Sequence, residues 1–110
     1  MTTVVNAFSP SMLPSSKEGA VVSAHFHHLS QDEARAFLAD REFQSAVGHA
    51  DTAGLFSQLL GKPVAENRVN VSLSAEGPLL LGSYAGPRLP PGATELPEGA
   101  KITWYVVTLD

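Results

Sequence analysis

The chain has 110 residues, which is enough for one domain with its own core and too few for two. It contains no cysteine, and this excludes a disulfide framework, a zinc ribbon and a thiol nucleophile. Seven Lys and Arg residues against 11 Asp and Glu residues give a formal net charge of -4, which disfavours binding to long nucleic acid or to an anionic membrane. The sequence shows no signal peptide and no apolar run of membrane-spanning length, so we expect one cytoplasmic domain over residues 1–110.

Local signals in the N-terminal part predict two strands and a capped helix. β-branched residues favour a strand at 2–7, which ends at a polar turn around Pro10, and a second strand is expected at 20–29. Ser30 followed by Glu33 is the pattern of a capping box, and apolar residues then repeat at helical spacing. We therefore expect an amphipathic helix at 31–40.

The rest of the chain predicts one further helix among several strands. Apolar residues at helical spacing follow Ala50 and stop at Gly61, which indicates a helix at about 50–60. Between residues 68 and 74 apolar and polar residues alternate, which is typical of a half-buried strand, and residues 75–78 have the composition of a hairpin turn. Further strands are expected at 43–47, 79–85 and 102–109, with a loop rich in Pro and Gly at 86–99.

This order of elements, ββαβαβββ, predicts an α/β or α+β fold. We expect a single domain with a mixed sheet of five or six strands and with the helices mainly on one face. The other face of the sheet then carries apolar residues that no helix covers. Because most soluble oligomers are two-fold dimers, we expect a homodimer that covers this face.

The stretch Gly48-His49-Ala50-Asp51-Thr52 is the most informative place for chemistry. It puts an imidazole at the start of the second predicted helix, where unpaired N–H groups favour an anion. Histidine is also the side chain best suited to donate a proton to a leaving oxygen near neutral pH. The same position is that of an ordinary helix cap, and the residues alone leave both interpretations open.

Other parts of the sequence offer further groups for an anion. Residues 6–11 follow the first predicted strand, where the loops of α/β sheets collect ligand groups, although Asn and Ser around a Pro are also common turn residues. Arg68 and Arg88 are either surface charges or the local positive groups that an acidic protein needs in order to bind an anion.

The histidines of the second predicted strand suggest a metal site at first sight. His25 and His27 share a strand face, but neither a Cys nor a third ligand at suitable spacing accompanies them. We therefore expect no metal and interpret them as part of an exposed strand or a dimer contact. The sequence also has no glycine-rich phosphate loop and no Gly-x-Ser-x-Gly motif, so neither a cofactor nor a serine nucleophile is expected.

Several short motifs occur here in one order: Asn-Ala-Phe-Ser-x-x-Met-Leu at 6–13, Gly-His-x-x-Thr-Ala at 48–53, Leu-Leu-Gly at 59–61, Asn-Arg-Val at 67–69 and Arg-Leu-Pro at 88–90. Together they resemble the viral type III anti-CRISPR ring nuclease family over nearly the whole chain. Members are homodimers that degrade cyclic tetra-adenylate without a metal. The resemblance implies cleavage to linear di-adenylate with a 2′,3′-cyclic phosphate, which blocks type III CRISPR signalling, in the host cytoplasm if the chain is viral.

The resemblance also implies roles for individual residues. A ribose 2′-hydroxyl attacks its own 3′-phosphorus in line, and the family's catalytic histidine, which protonates the departing 5′-oxygen as general acid, falls on His49. The partners implied are cyclic tetra-adenylate and a second copy of the chain, whereas DNA is disfavoured by the acidic balance. The ligand-binding positions implied are Asn6, Ala7, Phe8, Ser9, Ser11, Thr52, Arg68 and Arg88.

The chain departs from the family at one place that bears on turnover. The family commonly has Arg-Leu-Pro-Glu-Gly, with the Glu in the site, whereas here Pro91 follows Pro90. Glu98 restores a carboxylate only if the loop folds back. The alternative interpretation is therefore a protein of the same fold that binds and sequesters a cyclic nucleotide without cleaving it.

Overall fold

The computed structural model describes residues 1–14, 17–74 and 77–109. A 3-10 turn at Pro10–Met12 accompanies two helices, α1 (Gln31–Ala39) and α2 (Ala50–Leu60). The strands are β1 (Thr2–Val5), β2 (Ala24–Leu29), β3 (Phe43–Ser45), β4 (Leu79–Ala85) and β5 (Lys101–Leu109).

The five strands form one mixed sheet in the order β2-β5-β4-β1-β3. β1 runs parallel to both of its neighbours, with Thr3 opposite Leu79 on β4 and opposite Gln44 on β3. β5 is antiparallel to β2 and to β4 and lies between them, as expected for an aromatic and β-branched strand inside the sheet. The single domain with a five-stranded mixed sheet and two helices confirms the predicted fold class.

Helix α1 begins where the sequence predicts. The Ser30 Oγ accepts a hydrogen bond from the Glu33 backbone N–H at 3.1 Å, and the Glu33 Oε1 accepts one from the Ser30 N–H at 2.9 Å. These two bonds satisfy N–H groups that have no partner inside the helix, and they form the predicted capping box. The helix then buries Ala34 and Leu38.

Helix α2 also confirms its prediction. It ends at Gly61, whose φ of 72° lies in the left-handed region that glycine adopts without strain. Its apolar face buries Phe56, whose ring lies 4.9 Å from that of Trp104 on β5. The two rings sit over Gly82 on β4, where a Cβ atom would lie 2.6 Å from each of them.

Both helices pack on one face of the sheet. The apolar cluster on this face joins the helices to strand residues such as Val4, Leu80 and Trp104. The opposite face carries a second cluster that includes Leu73 from the segment before β4, and Phe8, Met12 and Leu13 from the segment after β1 pack against it. The chain itself thus supplies part of the cover that we expected from a second copy, and the homodimer stays a prediction.

The predicted strand at 68–74 is wrong. This segment forms no ladder in the described residues 67–73; its flanks make only isolated bridges, from Glu66 to Val47 and from Ser74 to Gly77. Leu73 donates its N–H to the carbonyl of Met12 and is buried, whereas Val69 is 53% exposed. The segment therefore lies over the sheet and does not extend it. The predicted hairpin turn at 75–78 includes residues 75 and 76, which lie outside the described residues.

Three other strands are shorter than predicted, and one of them, β3, ends at Ser45 instead of at residue 47. β1 ends at Val5 instead of at residue 7, and β2 begins at Ala24 instead of at residue 20. Ala24 pairs with Leu109, the last residue of β5, so among the described residues no strand lies opposite those before Ala24. Among the helices of the described chain, none is both long and apolar enough to cross a membrane.

Candidate functional site

His49 occupies the N-cap position of α2 and is exposed. In this helix, every residue of which the structure describes, the imidazole does not accept a hydrogen bond from the first-turn N–H groups. The interpretation of His49 as a mere side-chain cap is therefore not supported. Its imidazole lies at the positive end of a helix of 11 residues without making a side-chain capping bond to that helix.

Beside His49 lies a shallow pocket with a volume of about 310 Å³. Three of the residues expected from the sequence line it together, namely His49, Thr52 and Arg88. They come from the start of α2 and from the loop after β4, so the fold joins two motifs that lie far apart in the sequence. An imidazole, a hydroxyl and a guanidinium at a helix N-terminus form a surface that suits an anion.

Asn6 and Arg68 meet at the residue before His49. The Gly48 backbone N–H donates to the Asn6 Oδ1 at 3.5 Å. On the side of Arg68, its Cγ lies 3.6 Å from the point where a Cβ on Gly48 would sit. The first loop and the segment after α2 therefore both border the turn that carries His49, which brings five of the predicted site residues into one region.

The other four predicted residues are placed elsewhere. Ser9 and Ser11 share a hydrogen bond between their hydroxyls at 2.7 Å and line a separate cavity of about 430 Å³ against residues 69–72. Phe8 packs its ring edge-on against Phe26 at 5.2 Å and belongs to the apolar cluster of the second face. Ala7 is exposed. None of these four lines the His49 pocket in the described part of the chain.

Three residues that line the pocket, Asp51, Tyr84 and Leu89, were not predicted as site residues from the sequence. Asp51 and Tyr84 both line it, and both also hold the loop that carries Arg88. The Asp51 Oδ1 accepts a hydrogen bond from the Gly92 N–H at 3.3 Å, and the Tyr84 hydroxyl donates to the Pro87 carbonyl. Asp51 lies within the stretch already singled out at the helix start, whereas nothing in the sequence marked Tyr84.

The carboxylate in the pocket is that of Asp51. Glu98, the candidate to replace the family's glutamate, is exposed and is not one of the lining residues. The loop does fold back, but it brings the Gly92 backbone to helix α2 and leaves Glu98 outside the pocket. In the described part of the chain, no glutamate therefore lines this pocket to replace the one that the resembled family has at the position of Pro91.

The strand histidines lie away from this pocket. His25 and His27 share one face of β2, opposite Thr108 and Val106 of β5, as the alternation predicts. His28 is on the other face, with its ring 5.4 Å from that of Tyr105. Over residues 1–14, 17–74 and 77–109 no three His, Cys, Asp or Glu side chains group in a way that would hold a metal ion.

The STIV B116-like family matches the chain over residues 2–103. The chain belongs to the STIV B116-like family. Among solved structures, this B116-like chain is similar to B116 of Sulfolobus turreted icosahedral virus, with a TM-score of 0.72 and 25% sequence identity over 97% of each chain. No curated protein matches it. The two matches support the expected relation to a viral protein family. They bear on the fold and do not test an activity.

Proposed function

We propose that this B116-like chain is a metal-independent ring nuclease. Its substrate is cyclic tetra-adenylate, its product is linear di-adenylate with a 2′,3′-cyclic phosphate, and its effect is to block type III CRISPR signalling. One observation carries the proposal. The imidazole of His49 is exposed at the positive end of α2, beside a pocket that Arg88 and Thr52 also line.

The chemistry needs one proton donor and a held phosphate. The 2′-oxygen of a ribose forms a bond to the adjacent phosphorus, the bond from phosphorus to the 5′-oxygen breaks, and the 2′-hydroxyl proton leaves to solvent. His49 in its protonated form gives a proton to the departing 5′-oxygen. General acid help of this kind contributes about 10² to 10⁴ in rate, and alignment of the 2′-hydroxyl with the breaking bond contributes further.

The phosphate charge is met by local groups. Arg88 lines the pocket, Arg68 packs beside Gly48, and the first N–H groups of α2 point toward the same end of the helix. These groups suit a compact ring with four phosphates, whereas the net charge of -4 repels an extended polyanion. In a two-fold homodimer each of them occurs twice, which matches two cleavages per ring.

The test is cleavage of cyclic tetra-adenylate in EDTA, with the linear products separated by chromatography. We expect product from the wild type and a loss of at least about 100-fold in rate in His49→Ala. His27→Ala is the matched control, because it removes an exposed imidazole from β2 and should cleave at the wild-type rate. Cleavage that requires a metal and fails in His27→Ala would overturn the proposal.

A second candidate function is sequestration of the ring without turnover. Pro91 favours it, because it stands where the resembled family has a glutamate and Glu98 does not line the pocket. Equilibrium binding measured beside the cleavage assay separates the two functions. Tight binding without product from the wild type supports sequestration, and product that is lost in His49→Ala supports the nuclease.

A further inference from the structure

The segment 86–100 joins β4 to β5 as a loop whose two ends lie side by side. Ala85 pairs with Lys101 at its base, and just beyond this pair Gly86 approaches Ala100 so closely that a Cβ on Gly86 would lie 2.7 Å from the Ala100 Cα. The base of the loop is therefore closed by the strands themselves. Its outer part, which carries Arg88, needs contacts of its own to keep one position over the pocket.

Two hydrogen bonds supply such contacts on either side of Arg88. Before it, the Tyr84 hydroxyl on β4 donates to the carbonyl of Pro87. After it, the Gly92 N–H donates to the Asp51 Oδ1 on α2 at 3.3 Å. Gly92 has a φ of 73°, a conformation open to glycine, and this turn directs its N–H toward Asp51.

We propose that Asp51 and Tyr84 are positioning residues that fasten this loop to α2 and β4 and so hold Arg88 beside His49. The role of Arg88 toward a phosphate rests on the proposed function, whereas the fastening does not. Asp51 acts here as a hydrogen-bond acceptor. Its negative charge would repel an anion in the pocket. We therefore explain its place beside His49 by the hydrogen bond that fastens the loop and not by ligand binding.

Limited digestion with trypsin tests the fastening without any substrate, because the bond after Arg88 lies between the two contacts. Mass spectrometry gives the rate of cleavage after Arg88, and cleavage after the exposed Arg68 in the same sample serves as the internal reference. We expect Asp51→Ala and Tyr84→Phe each to raise the relative rate at Arg88 by about three- to tenfold, as loss of one hydrogen bond implies when opening is fast.

Two variants separate the hydrogen bond from other effects of Asp51. Asp51→Asn keeps an oxygen acceptor and removes the charge, so it should leave cleavage after Arg88 at the wild-type rate. Asp32→Ala removes an acidic residue from the matching second position of α1 and should also leave it unchanged. A wild-type rate in Asp51→Ala, or a rate in Asp51→Asn equal to that of Asp51→Ala, would overturn the proposal.

The assay with cyclic tetra-adenylate then tests positioning. We expect Asp51→Ala to raise KM by about three- to tenfold with kcat within about twofold, and Asp51→Asn to restore KM. A faster cut at Arg88 with an unchanged KM would overturn the positioning role while the fastening stands. If the wild type neither binds nor cleaves the ring, the proposed function fails, and the digestion still decides the fastening.

Discussion

The Cγ of Arg68 lies 3.6 Å from the point where a Cβ on Gly48 would sit, immediately before His49. This is ordinary van der Waals distance, and Gly48 does not have the positive φ that would require glycine. The apolar stem of Arg68 thus borders the turn into α2, and the residue as a whole is exposed. The stem of this arginine therefore lies next to the turn that carries the imidazole.

The two close-packed glycines should respond differently to a methyl group. Gly82→Ala forces a Cβ to 2.6 Å from the rings of Phe56 and Trp104, so we expect it to lower the free energy of unfolding by about 1–3 kcal/mol. Gly48→Ala has room and should change it by less than about 0.5 kcal/mol. Urea unfolding followed by Trp104 fluorescence measures both, and equal losses would contradict this account of the packing.

The segment before β4 offers a test of which apolar residues it buries. Leu73 is 2% exposed and lies in the cluster of the second face, so Leu73→Ala should cost about 2–5 kcal/mol of unfolding free energy. Val69 is 53% exposed, and Val69→Ala should cost less than about 0.5 kcal/mol. Similar costs for the two variants in urea unfolding would instead favour the regular half-buried strand that the alternation predicts.

The capping box makes stability depend on pH. The Ser30 backbone N–H and hydroxyl lower the pKa of Glu33 below its ordinary value of 4.5, so the folded chain holds this proton less tightly than the unfolded chain. The stabilisation is full above the unfolded pKa and is lost as the pH falls through the folded pKa.

We therefore expect the stability difference between the wild type and Glu33→Gln to be constant near neutral pH and to shrink below pH 4.5. Gln keeps an acceptor for the Ser30 N–H but does not titrate. Urea unfolding at a series of pH values measures the difference, and Glu18→Gln controls for the loss of one exposed charge. A difference that stays constant down to the acid limit would contradict the role of the charged form.

Arg68 and Arg88 should each contribute to binding of the ring. Hydrogen bonds to charged groups contribute about 1.5–3 kcal/mol, so Arg68→Ala and Arg88→Ala should each weaken binding of cyclic tetra-adenylate by about 10- to 100-fold. Arg41→Ala is the control, because Arg41 packs over the ring of Phe37 at 4.0 Å, away from the pocket. Titration calorimetry at two salt concentrations measures the affinities, and a loss in Arg41→Ala as large as in the other two would point to general charge effects.

Local sequence signals predicted the helices well because their causes are local. The capping box of Ser30 and Glu33 and the left-handed Gly61 act within a few residues, so α1 and α2 appear at the predicted positions. The alternation at 68–74 failed for a physical reason. A period of two indicates that every second side chain is buried, but it does not show that the segment pairs with another strand. Leu73 is buried because its segment lies over the sheet.

The candidate site divides in the same way. The motif that carries His49 and Thr52 and the loop that carries Arg88 were visible in the sequence, and the fold brings them to one pocket. Asp51 and Tyr84 act on backbone groups of a loop whose path depends on the closed base between β4 and β5. Such contacts leave no pattern in the sequence, because nearly every residue offers the same backbone carbonyl and N–H groups.

The pairing of β1 with β4 has a consequence for how the chain folds as it is synthesised. β1 is completely buried and is synthesised before the other strands, but the residues of β4 that pair with it are not all present until Leu81 has been added. Until then Val4 and Val5 have only part of the surroundings that bury them in the folded protein. The sheet is thus assembled late, from contacts distant in sequence, so folding should be slow and fragments that end before β4 should be prone to aggregation.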